Sequence, residues 1–312
     1  GGMMQPSKVE WGTQSVRRKK SIFKAYGNYL FVLPGLLFLS VFMLFPIAYN
    51  VFLTFKNVTV FNIMSGSDFI WFENYLTVLT DPIFLSSIGN SVIFTGLCLV
   101  FQFMIGLALA LFFNRKFPGR GIMRSLILMA WMIPLVITGN LFQWMFAGEY
   151  GIINHFLMWI GFIQEPIYWV SNEDTALYST IIANIWIGIP FNMVILLAAL
   201  QSLPVEVYEA ARVDGASKAR QLFSITLPLL KPTLFILVML GIIYTFKVFD
   251  IILIMTQGGP VYSSTVVPFY AYEQAFIHYN FSIGATITTI MLFMLIVVSL
   301  VYLYFVNKEE TE

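Results

Sequence analysis

Apolar residues run in long, nearly unbroken blocks along this chain, and the charges collect in the short stretches between them. Six blocks reach the roughly 20 residues a helix needs to cross the hydrocarbon core of a bilayer. They lie at roughly Tyr29–Phe55, Ile83–Phe113, Ser125–Ala147, Ala176–Leu200, Pro232–Met255 and Phe281–Val306. Five hold no charged residue, and the fifth in order carries Lys247 and Asp250. A strand barrel would instead show segments of about ten residues alternating in polarity, and no such segments occur. The pattern predicts an all-α membrane protein with six transmembrane helices over residues 29–306, a basic segment before them (1–28) and a short tail after them (307–312).

Composition removes the competing classes. Of 312 residues, 59% are hydrophobic and 11% charged, against about 25% charged in an ordinary soluble domain. That is too few charges to solvate the surface of a soluble enzyme, and too apolar for a disordered chain. A net charge of +1 gives no electrostatic footprint for nucleic acid. The lone cysteine, Cys98, excludes a disulfide framework and a thiolate zinc cluster.

The placement of charge predicts direction, because Lys and Arg collect on the cytoplasmic side. Fifteen of the 17 basic residues fall in the segment before the first span, in the loops after spans two and four, or in the tail. The opposite loops carry Lys56 against eight acids, among them Asp68, Asp81, Glu149 and Glu273. Both termini are therefore expected in the cytoplasm. The basic run Arg17 to Lys20 precedes an apolar stretch far longer than the core of a signal peptide, and reads as the lead-in to the first span.

The loop after span four, about 201–228, has the most structure written into it. Pro204 suits a first helical position, and Glu206 and Glu209 sit where the helix dipole favours anions. Asp214-Gly215 supplies a stop, with Gly free to adopt positive φ. The residues predict a short helix outside the bilayer. Val205, Tyr208 and Ala211 or Arg212 form one stripe, and Ala210 and Ala211 keep that surface thin. Such a helix could dock in a partner's groove or lie against the protein's own spans, and the residues alone allow both.

The spacing Glu209-Ala210-Ala211, three residues, Gly215, nine residues, Ile225, one residue, Leu227-Pro228 resembles the EAA signature of ABC importer permeases. Phe249-Asp250 followed by Gly258-Gly259-Pro260, together with Tyr150 to Asn154, Trp169 and Trp186 to Leu203, is similar to the carbohydrate branch, the maltose, glycerol-phosphate and oligosaccharide permeases. The resemblance implies the type I importer fold in a bacterial or archaeal cell membrane. It also implies a second, usually different, permease, two ABC ATPases and an extracytoplasmic solute-binding protein as partners. Tyr208, Glu209, Ala210, Ala211, Asp214, Gly215, Leu227 and Pro228 would then couple the spans to an ATPase. The chain has no Gly-x-x-x-x-Gly-Lys-Ser/Thr loop to cradle phosphates, so ATP and Mg would belong to the partner subunits, with no cofactor, metal or catalytic residue here.

For the solute path the resemblance points to Gly188 and Phe191, with Asn192 beside them, on span four. On span five it points to Gly241, Tyr244, Thr245 and Val248, which share one helical stripe; small and aromatic residues can equally serve helix packing. Thr245 and Val248 stand where relatives carry amides. Lys247 and Asp250, three apart on one expected helix, could neutralise each other, or Lys247 could meet an anionic solute. Asn90, Gln102, Asn140 and Gln143 are expected to bond neighbouring helices. The rival class, a proton- or ion-coupled secondary transporter of a small polar solute, would place acids or histidines at the midplane. Only Asp250 stands there.

Overall fold

The computed structural model describes residues 22–311, so most of the basic segment expected over 1–28 lies outside the described residues. In chain order the helices are α1 (Ile22–Leu39), α2 (Phe45–Leu53), α3 (Glu73–Leu79), α4 (Pro82–Asn114), α5 (Arg120–Met132), α6 (Leu135–Met145), α7 (Ile152–Trp159), α8 (Ala176–Gln201), α9 (Val205–Val213), α10 (Lys218–Gln221), α11 (Leu227–Phe246), α12 (Asp250–Met255), α13 (Val267–Tyr272) and α14 (Phe281–Thr311). Among the described residues there is no β-strand, only two isolated bridges. Among the described residues, five helical stretches are long and apolar enough to cross a membrane: Tyr29–Leu53, Pro82–Asn114, Ala176–Gln201, Lys218–Phe246 and Phe281–Lys308.

The third expected span is not one straight helix. α5 and α6 meet at 96°. Pro134 brings no N–H and pushes its predecessor out of the helical region; Ile133 accordingly sits at φ −69°, ψ 129°. The fifth expected span is also redrawn. It starts earlier, at Lys218, and stops at Phe246, with Lys247 to Phe249 outside any helix before α12 begins. Leu227-Pro228 therefore lies inside a helix and does not close the loop. Pro228 is tolerated because the preceding turn, Leu222–Thr226, is a wider π-helix, and the Ser40–Leu44 π-turn stands likewise just ahead of Pro46. A π-turn relaxes the one-to-four ladder that a proline ring would otherwise block.

The described residues divide into two compact units, one ending at Tyr49 and the other beginning at Asn50. In the first, α1 and the π-turn form one continuous apolar rod. In the second, α4 packs along α8. The facing stripe of α4 is Phe94, Cys98, Gln102, Gly106, Ala110 and Phe113, all buried and mostly four apart. Small residues there let the helices close in, which is how helices gain packing where lipid supplies no hydrophobic drive. A Cβ on Gly106 would lie 2.7 Å from Asn192 Cβ and 3.2 Å from a backbone nitrogen. One apolar cluster closes one end of the pair, with Phe113, Met193, Leu196, Leu200 and Leu230. A second, with Phe94, Cys98, Ile181, Ile252 and Phe269, closes the other. Between them the α4–α8 seam turns polar.

The segment before α3 is tied to α14 by hydrogen bonds. Ser282 Oγ accepts from Val58 N at 2.8 Å and donates to Leu53 O at 3.0 Å. Asn74 donates to Thr54 O at 2.8 Å and to Lys56 O at 2.9 Å. Nearby, outside the spans, Glu273 has a side chain only 16% exposed and one carboxylate oxygen without a partner, and His278 stands 4.0 Å from the other. Burial raises its carboxyl above the usual range, with His278 opposing. A raised folded-state pKa adds stability while the proton is held and loses it as pH rises through that value. Glu273→Gln is therefore expected to raise the thermal midpoint at neutral pH and to give no gain near about pH 4, where the unfolded chain is protonated too. Melting curves at the two pH values check this.

Candidate functional site

The polar stretch of the α4–α8 seam opens into a cavity of about 540 Å³ completed by α11. All seven residues expected on the solute path line it: Gly188, Phe191 and Asn192 from α8, and Gly241, Tyr244, Thr245 and Val248 from α11 and its end. The glycines are there because side chains from α4 cross them. A Cβ on Gly188 would sit 2.2 Å from the Gln102 amide, and one on Gly241 2.2 Å from Leu99 Cδ2. Gln102 is buried and donates to Asn184 O at 2.8 Å, which bonds it to the neighbouring helix as expected. Asn192 donates to Gly188 O at 3.0 Å, leaving its carbonyl oxygen as an acceptor. Trp131 brings its ring to 5.7 Å from that of Phe191.

No pattern along the chain pointed to Trp131, Leu99 or Leu135 in this wall. They arrive from α4 and from the bent α5–α6 pair, and no spacing within one helix brings them to α8. Trp186 faces away, with its ring 5.7 Å from Phe142. Of the other amides, Gln143 bonds across to Met255 O at 3.1 Å. Asn140 bonds within its own helix, to Val136 O. Asn90 holds the loop carbonyls of Ser263 and Thr265 rather than a helix.

Lys247 and Asp250 do not pair. The helix ends between them, so they never occupy one helical face, and both side chains are exposed. The ammonium of Lys247 lies 4.7 Å from the centre of the Tyr244 ring, a cation–π contact, and Asp250 opens α12, where the helix dipole favours an anion. Breaking the helix lets each charge find a separate partner or solvent.

At the far end of α8 the short helix α9 is held from beneath. Tyr208 shares a 2.9 Å hydroxyl bond with Thr226, which in turn donates to Gln221 O. Ala211 is buried. These two thus face the protein itself, while Glu206, Glu209, Ala210 and Val213 are turned outward, Val213 being 87% exposed. Pro204 is the residue before the helix rather than its first position. Gly215 is left-handed at φ +75°. Its N–H bonds Arg212 O, and Ala216 N–H bonds Ala211 O, the paired closure that satisfies the last helix carbonyls.

A family model described as binding-protein-dependent transport system inner membrane component matches residues 102–309, which takes in the cavity wall apart from Leu99, α9 and the last span. The chain belongs to this family. Among similar permeases, the sulfoquinovosyl glycerol transport system permease protein SmoG of Agrobacterium fabrum is 34% identical over 90% of each chain. The trehalose/maltose transport system permease protein MalF of Thermococcus litoralis is 33% identical, covering 88% of this chain and 92% of its own. The fold matches a chain of a bacterial ABC transporter involved in the import of the acidic polysaccharide alginate, with a TM-score of 0.79 at 23% identity over 93% of this chain and 98% of that one.

In this permease Lys247 stands beside the cavity but does not line it. Lys247→Gln is expected to leave uptake of a neutral sugar within about fivefold, since losing an exposed cation–π contact costs about 0.5–1 kcal/mol at most. Abolished uptake would place the ammonium on the solute's route.

Proposed function

We propose that this chain is the membrane subunit of an ATP-driven, binding-protein-dependent importer for a carbohydrate, working beside a second permease in a bacterial or archaeal cell membrane. Two ATPase subunits would hold ATP and Mg, and an external binding protein would deliver the solute. This chain would hydrolyse nothing itself. Its termini and α9 would face the cytoplasm, where the outward face of α9 (Glu206, Glu209, Ala210, Val213) meets an ATPase. Closure of the ATPase pair would pull α9, and through the Tyr208–Thr226 bond the start of α11, so that the cavity changes its side of access.

The observation that carries this reading is the joining of two features along one stretch of chain. α8 lines the polar and aromatic cavity at its middle, and just beyond its end α9 forms an exposed knuckle closed at Gly215. The cavity chemistry supports a sugar: amides for hydroxyls, aromatic rings for a pyranose face, and no charged residue in its wall. The relatives named for trehalose, maltose and sulfoquinovosyl glycerol support the same class.

Uptake into proteoliposomes holding the complete assembly tests it. Uptake should stop when the ATPase is disabled and should survive collapse of the proton gradient. Uptake that follows the proton gradient without ATP would favour the secondary transporter instead.

A further inference from the structure

A second and larger cavity, about 860 Å³, shares no wall residue with the first. Its wall is built by α6 from Ile137 onward, the turn after it and the stretch following α7. Six side chains give it its chemistry: Asn140, Gln143, Trp144, Glu149, Tyr150 and Tyr168. We propose that this cavity is a second saccharide site, a vestibule that takes a neutral sugar before it reaches the cavity between α4, α8 and α11. The proposal rests on the carbohydrate reading above and adds a place and a charge class to it.

The wall can both donate and accept: Trp144, Tyr150 and Ser171 each keep an N–H or O–H, and its formal charge is the Glu149 carboxylate. Asn140 spends amide hydrogen on Val136 O at 2.8 Å, and Gln143 on Met255 O at 3.1 Å, so both side-chain carbonyl oxygens remain to accept. Glu149 accepts a long bond of 3.4 Å from the Tyr168 hydroxyl and keeps its other oxygen. Such a mixed wall suits hydroxyls, which both donate and accept. It repels an anion, which would bring negative charge to the Glu149 carboxylate, and neither Lys nor Arg stands in the wall to offset that.

The aromatic side chains supply the flat apolar faces that sugar rings stack on. Trp144 and Tyr150 are each 68% exposed. Tyr168 is laid against the chain by Gly148, where a Cβ would sit 2.4 Å from the ring. Trp and Tyr at a membrane interface can also be simple anchors. Anchors alone would not require a concave wall, a carboxylate and two amides turned to the same space.

Cysteine protection separates these readings. The native Cys98 is fully buried, so a cysteine placed at exposed Ser171, in the vestibule wall, reports on that site, and one at Leu135, in the wall of the inner cavity but outside its polar and aromatic set, reports on that one. The complete transporter complex in nanodiscs is labelled with a charged thiol reagent in the presence of maltose, trehalose, cellobiose, glucuronate or sn-glycerol 3-phosphate. At least one neutral sugar is expected to slow labelling of Ser171→Cys by about fivefold, the protection reached at about four times Kd, and the anions to have no effect. Trp144→Ala with Tyr150→Ala should remove that protection and leave protection of Leu135→Cys in place. Protection of Leu135→Cys alone overturns the vestibule and spares the carbohydrate reading. Protection of neither overturns both. Equal protection by an anion overturns the charge class, and protection indifferent to the aromatic substitutions reduces Trp144 and Tyr150 to interface anchors.

Discussion

Gly215→Asp should leave the subunit inserted and assembled, yet lower ATP-driven uptake tenfold or more. A Cβ at this position meets nothing within 4 Å, so the change creates no clash and gives the spans no reason to unfold. Its effects are local and add at one point. A side chain at φ +75° carries about 1 kcal/mol of backbone strain, which works against the paired closure through Arg212 O and Ala211 O. A second carboxylate beside Asp214 also sits at the negative end of the helix dipole, where anions are disfavoured. A tenfold loss corresponds to about 1.4 kcal/mol, within reach of those terms together. Gly215→Ala, which adds the strain without the charge, should lose less. Uptake at the wild-type rate in Gly215→Asp, with normal subunit levels, would remove α9 from the coupling path.

Gly188→Leu should be the most damaging single change in the inner cavity. Its Cβ would stand 2.2 Å from the Gln102 amide, so Gln102 must leave its place and lose its 2.8 Å bond to Asn184 O. A buried amide without its partner costs about 1–3 kcal/mol, and the leucine side chain then fills space that a solute would need. Uptake is expected to fall to background, with a lowered melting midpoint for the complex. A double variant separates blockage from misfolding. Gly188→Ala alone should destabilise the α4–α8 seam, while Gly188→Ala with Gln102→Ala should recover much of the lost stability, because the two residues contend for one space. Independent, additive losses would show that they do not.

The spans were legible because hydrocarbon imposes one demand, a long run of apolar residues whose backbone bonds are closed within the helix. The same demand is silent about breaks. Ile133-Pro134 could have kinked a helix gently, and the 96° turn between α5 and α6 depends on packing against other elements. The expected pairing of Lys247 with Asp250 failed for a related reason. Three residues apart means neighbours only while the helix continues, and the charges themselves favour ending it where each can reach a separate environment. In the loop, Asp214-Gly215 announced its stop because left-handed backbone is nearly a glycine privilege, whereas no spacing rule told whether Tyr208 faced a partner or Thr226.

By itself, the sequence determined a helical membrane protein, the approximate places of its spans, the short helix ending at Gly215, and a set of candidate path residues on two spans. Those follow from period, length and local backbone preference, which act within one segment. The tertiary structure alone decided that Gly188 and Gly241 serve α4 side chains passing over them, that Trp131 closes the same cavity, and that a second polar and aromatic hollow forms around Trp144. Each depends on residues distant in the chain sharing one space, and steric exclusion between helices is not written in the periodicity of any one of them.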